Sequence, residues 1–112
     1  MTDAEIFQAA FALIRNPDAW IQTVYAKDSD GCSIAPNSER AVSFCSIGAI
    51  AHVLNKEIRM FRTVHPLETM LDVAATEVDF ASGSAGHFND THTHAEVVAL
   101  WEKVGKENGW LQ

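Results

Sequence analysis

The sequence predicts an α+β fold, predominantly helical, with about four helices around an apolar central helix near residues 38–54 and a small β-hairpin near residues 20–35. Three observations carry that reading. Two Thr-x-x-Glu capping boxes, Thr2 with Glu5 and Thr93 with Glu96, each open a run of apolar residues at helical spacing. The run AVSFCSIGAIAHVL is apolar almost all round, as suits a helix surrounded by others. Between the first box and that run lies WIQTVYAKDSDGCSIA, rich in β-branched and aromatic residues and broken by Ser29-Asp30-Gly31.

Helix one is expected from Asp3 to Arg15, with Ile6, Ala9, Ala10 and Leu13 beside Phe7, Phe11 and Ile14. Asn16-Pro17 ends it, because proline disfavours helical geometry in the residue before it. In the hairpin, residues 20–26 face residues 32–35 and Pro36 stops the second strand. Asn37 or Ser38 then caps the central helix, which is apolar almost all round over residues 41–54 and offers Gly48 and Ala49 for a close backbone approach. KEIRMFRTV, residues 56–64, fits neither the helical nor the strand period. Pro66 opens a third helix with Leu67, Met70, Leu71 and Ala74 inward, fading by Thr76 or Glu77. A short extended piece at residues 78–80 and a loop precede the last helix, whose stripe is Val97, Leu100, Trp101 and Val104.

Composition limits the function. The chain has 112 residues, 47% of them hydrophobic, enough to bury a core as a single domain over residues 1–112 without metal or disulfide support. Fifteen acidic against eight basic residues give a formal charge of −7, which repels phosphate backbones and anionic membrane surfaces. Nucleic acid and membrane are therefore not expected as partners, and the one basic cluster, Lys56, Arg59 and Arg62, is diluted by apolar neighbours. MTDAEIFQAAFALIRN lacks the basic start and cleavage site of a signal peptide, and no apolar stretch reaches bilayer length, so a cytoplasmic setting is expected. Cys32 and Cys45 are too few for a disulfide scaffold and are read as reduced thiols.

Two stretches together resemble a known family. WIQTVYAKDSDGCSIAPNSERAVSFCSIGAIAHVL leads from a tryptophan through a turn into a Cys-x-x-Gly-Ala helix, and FNDTHTHAEVVALWEKV follows an aromatic-Asn-Asp step with a helix rich in Val and Leu. In that order they resemble a family of small uncharacterised bacterial and phage proteins, a domain of unknown function, over residues from about 3 to 104. Its usual pattern is Trp-x-Gln, then Trp-Cys-Ala-x-Gly-Ala, then Trp-Asn-Asp. The matching positions are Trp20, Gln22, Ala41, Cys45, Gly48, Ala49, Asn89 and Asp90, while Phe44, Ser46 and Phe88 depart from it. The resemblance implies a fold and no activity.

The candidate site residues fall into four groups. Cys45 could serve as a nucleophile beside a histidine base, but inside an apolar helix burial raises a thiol's pKa and the dipole advantage has faded. His87, His92 and His94 with Asp90 are ligand types suited to zinc, yet a cap at Thr93 puts His92 outside the helix and His94 inside it, so the rings need not converge. Asn89 and Asp90 are expected to satisfy loop amides or helix ends, with the Asp90 carboxylate reaching Arg40 or the Trp20 indole. Trp20, Gln22, Asn89 and Asp90 are the expected binding set. Trp101 is expected in the core, and Trp110 packs back onto helix one or forms a homodimer contact.

No phosphate loop, nucleophile elbow or paired metal motif is present. The sequence therefore favours a non-enzymatic binding or regulatory accessory module that needs no cofactor, with a protein or small molecule as its unidentified partner. The alternative is a small-molecule enzyme that uses Cys45 or Asp90 with a histidine base.

Overall fold

Helix α1 (Asp3–Ile14) starts where its capping box dictates: the Thr2 hydroxyl accepts from the Glu5 N–H while the Glu5 carboxylate accepts from the Thr2 N–H. Those bonds, the backbone one first, hold the Glu5 carboxyl below the usual range. The computed structural model describes residues 1–55 and 65–111. The ambiguous segment 56–64, with its basic cluster, lies outside them. Ile6, Phe7, Ala10, Phe11 and Ile14 are the buried stripe of α1, and the helix stops at Arg15 ahead of a single 3-10 turn, Pro17–Ala19.

The fold class is the one expected: five α-helices and one small antiparallel sheet among the described residues. The sheet is assembled differently from the expected hairpin. Strand β1 (Ala26–Lys27) pairs with β2 (Ser43–Phe44), Ala26 opposite Phe44 and Lys27 opposite Ser43. The 32–35 arm contributes only an isolated bridge between Lys27 and Ser33. Asp28 explains this, because its Oδ1 accepts from the N–H groups of Asp30 and Cys32 and curls the arm into a turn instead of a ladder. Its other oxygen, Oδ2, takes the Arg40 guanidinium at 3.2 Å.

The central helix also begins later than its apolar run. Helix α2 spans Ser46–Val53, with Cys45 as its N-cap, and residues 43–44 are strand. The strand is wholly buried and so is the helix from Ser46 to Ala51, so apolar character continues through the change and leaves no periodic signal. Within α2, Gly48 lies against the backbone of Tyr25, whose carbonyl occupies the place a Cβ would take.

Helix α3 (Pro66–Val78) has proline at its first position and His65 as N-cap, with the His65 Nδ1 accepting from the Leu67 N–H. It runs through Val78, so the expected extended piece at 78–80 is the helix end and a turn. The loop expected before the last helix is instead a short helix, α4 (Ala85–Thr91), capped by the Ser84 hydroxyl. Helix α5 (His94–Glu107) has the second capping box and buries Val97, Leu100, Trp101 and Val104 as its spacing predicts.

The core is aromatic at its centre. Trp101 is fully buried against Phe7 and Phe11, at 5.0 and 6.0 Å between ring centroids. Past α5 the chain turns at Gly109, whose φ of +71° suits glycine, and returns to α1. There Trp110 meets Phe7 at 5.2 Å and its carbonyl accepts from the Gln8 side chain. Among the described residues, no helix is long and apolar enough to cross a membrane.

Gly48→Ala tests the close approach. Alanine is intrinsically the better helix former by about 1 kcal/mol, yet its methyl must displace the Tyr25 carbonyl. A net destabilisation of about 1–3 kcal/mol in urea unfolding is expected.

Candidate functional site

Helix phase decides which side chains of α4 face inward. Ala85, Phe88 and Asn89, at i, i+3 and i+4, point into the core, and Asp90 next along is exposed. Asn89 is 0% exposed and makes hydrogen bonds through both ends of its amide. Its Oδ1 accepts from the Trp20 indole N–H at 2.8 Å, the Ser46 N–H at 3.0 Å and the Ser46 hydroxyl at 2.9 Å. Its Nδ2 donates to the Ile21 carbonyl at 3.0 Å and to Asp90 Oδ1 at 3.2 Å. The Ser46 hydroxyl oxygen in turn accepts from the Trp101 indole N–H at 3.0 Å. Gln22 completes the knot by donating to the carbonyls of Asn89 and His92.

The tie expected of Asp90 is thus made by its neighbour. The Trp20 indole goes to Asn89, and Arg40 goes to Asp28. Asp90 instead uses Oδ1 to accept from the Thr23 N–H at 2.9 Å. Thr23 has a φ of +73°, a left-handed conformation that a β-branched residue adopts only when its surroundings impose it, at a cost of about 1–3 kcal/mol.

Beside that strained residue a cleft of about 360 Å³ opens between residues 23–25 and α4. Cys45, His87 and Asp90 all line it, with Ile47 and Val24 as apolar wall. Three of the residue types singled out in the sequence therefore share one cavity. Trp20, Gln22 and Asn89 stand behind its wall and hold it in place. The thiol is the N-cap of α2: Sγ accepts from the Gly48 N–H at 3.3 Å. Burial nevertheless pushes its pKa up from 9.0 to about 11, against the pull of the backbone N–H groups of Gly48 and Ile47. The Asp90 carboxylate adds to the rise. The expectation that Cys45 lies inside a helix is corrected by its cap position, but the chemical consequence of burial is as expected.

The other histidines are turned to separate tasks. His92 stacks on Phe88 at 3.7 Å, and its Nε2 lies 3.1 Å from Asp79 Oδ2. His94 Nε2 lies 2.8 Å from the Ile14 carbonyl, with its ring against Trp20. Among the described residues no group of three His, Cys, Asp or Glu side chains could hold a metal ion.

A model of a family of unknown function, DUF6197, matches residues 1–107, nearly the whole chain and every residue of the Asn89 knot. The chain belongs to this family. No curated protein and no solved structure matches the chain. Family membership thus agrees with the expected resemblance to a domain of unknown function, and it brings no activity with it.

Two outcomes test the site. Asn89→Ala strands the Trp20 indole, the Ser46 donors and the Ile21 carbonyl, and a loss of about 3 kcal/mol or more in denaturant unfolding is expected. The thiol sets a pH dependence. Its pKa is raised on folding, so above pH 9 the unfolded chain gives up this proton before the folded chain does, and stability falls as pH climbs from 9.0 towards about 11. Urea melts of the wild type and Cys45→Ser at about pH 8 and about pH 10.5 isolate the effect, with the wild type expected to lose roughly 2 kcal/mol more than the variant.

Proposed function

We propose that the chain is a non-enzymatic binding module whose ligand occupies the cleft between residues 23–25 and α4. The observation that carries this reading is the Thr23–Asp90 pair: a β-branched residue kept in a left-handed conformation, at the mouth of a cavity, by a carboxylate that also faces the cavity. Backbone strain of that kind is concentrated where a protein prearranges groups for a ligand. Among the described residues Asp90 Oδ2 has no hydrogen-bond partner, whereas Oδ1 is committed to Thr23 and Asn89. The cleft therefore suits a small molecule with a cationic or N–H donor end and a short apolar body lying on Ile47 and Val24.

Binding is favoured over thiol catalysis by the state of Cys45. A nucleophile at neutral pH needs a thiolate or an adjacent base. Here the thiol is pushed up to about 11, and its sulfur is occupied by the Gly48 N–H. The placement of Cys45, His87 and Asp90 in one cleft is the observation that keeps the enzyme alternative as a second reading. The acidic composition and two free cysteines fit an accessory protein of a reducing cytoplasm, in bacteria, phage or mobile genes.

Ligand-observed NMR with short alkylammonium ions and the matching alkyl carboxylates tests the reading. The ammonium series should bind and the carboxylates should not. Asp90→Asn should weaken binding by about tenfold or more while Cys45→Ser leaves it unchanged. Native-state alkylation near neutral pH should modify exposed Cys32 and spare Cys45 until denaturant is added. Rapid labelling of Cys45, or ammonium binding indifferent to Asp90→Asn, would sink the proposal.

A further inference from the structure

Helices α3 and α5 pack antiparallel, and the seam between them is incompletely filled on its outer side. Two hollows of about 250 and 290 Å³ follow it end to end. Their apolar floor comes from Met70, Val73 and Val78 on α3 and from Ala99, Leu100 and Val104 on α5. The α3 residues recur at i, i+3 and i+8, so they form one stripe of a helix face. Of that stripe, Val73 and Val78 are each 54% exposed. Isolated exposed apolar residues are ordinary, but a helical stripe of them along a groove is not.

The groove's charges identify what would cover it. Among the described residues, Glu77, Glu96 and Glu107 line it together with a single cation, Lys103. Lys103 is spent internally, with its Nζ 3.3 Å from Glu77 and 2.6 Å from Glu107, and these bonds raise its pKa. The surface is thus apolar along the floor and net negative along the rim. A second copy of this chain, at −7, is repelled by the same charges.

We infer that the α3–α5 groove is a docking site for a basic amphipathic helix of a partner protein. The lining of α5 extends from Glu96 to Asn108, about 18 Å of helix axis at 1.5 Å per residue, so the occupant is a helix of about three turns. Its apolar face, with anchors at i, i+3 or i+4 and i+7, lies on the valines and Leu100, and flanking lysines or arginines meet the glutamates. This face is separate from the cleft at Cys45 and Asp90, and the inference stands without the ligand proposed there.

The probe is a fluorescent synthetic peptide of about fourteen residues with leucines at helical anchor spacing and lysines elsewhere, titrated with the full chain and read by anisotropy. Two controls are its scrambled form and the same leucine pattern on glutamates. Saturable binding that weakens with salt is expected for the basic helix, with both controls weaker by about tenfold or more. Val73→Arg in the groove should weaken binding by about tenfold. Val42→Arg, at a position 52% exposed but outside the groove, should not change it. Circular dichroism melts establish that both variants fold. Equal loss from Val42→Arg, equal binding of the glutamate or scrambled peptide, or no saturable binding at all would overturn the inference. So would a concentration-dependent doubling of the chain's mass that Val73→Arg abolishes, because the occupant would then be a second copy.

Discussion

The side-chain amide of Asn89 is the constraint on which the other parts of the molecule depend. It sits at zero exposure and joins the segment after α1, the first residue of α2, and α4 itself. Three donors face its oxygen and a carbonyl faces its nitrogen, so the surrounding groups fix which way the amide points. An aspartate could take the three donors but would turn an acceptor towards the Ile21 carbonyl and bury a charge. An amide alone among the short side chains supplies acceptor and donor in the required places.

That requirement propagates outward through Ser46. Its hydroxyl accepts from Trp101 and donates to Asn89, so the indole at the centre of the aromatic core is tied to the same point as the Trp20 indole at its edge. Phe7 and Phe11 pack on Trp101, and Trp110 packs on Phe7. A polar knot and an aromatic cluster are thus continuous, and each fixes the geometry of the other. Polar groups buried this deeply stabilise only when every partner is present. Their contribution here is to specify a single arrangement of elements that hydrophobic burial alone would leave degenerate.

Features encoded within a few residues were legible in the sequence. Both capping boxes, the stop at Asn16-Pro17, the Trp101 stripe and the close approach at Gly48 are local properties of residue type and spacing. The pairing of β1 with β2 was not, because strand choice depends on residues 16 and 18 positions apart and the Asp28 turn competes for the nearer arm. The start of α2 was hidden by continuous burial on both sides of Cys45. The most consequential gap was α4, seven residues that after Ala85 are poor helix formers and read as a loop. Once that segment is seen as helical, the spacing of Ala85, Phe88 and Asn89 identifies the inward face, and the roles of Asn89 and Asp90 separate. Taken as a loop, the two neighbours were interchangeable, and the charged one attracted the tie that the amide makes.

Three successive residues of α4 now have three different directions. Phe88 lines the groove between α3 and α5, Asn89 enters the knot, and Asp90 faces the cleft beside Thr23. A seven-residue helix is too short to be stable by propensity, so its position is imposed by Asn89 and by the burial of Phe88. Both candidate surfaces therefore rest on one small element that is held from inside the core. The strain at Thr23 follows from the same fact: Asp90 can impose a left-handed backbone on its neighbour only because Asn89 denies α4 the freedom to relax.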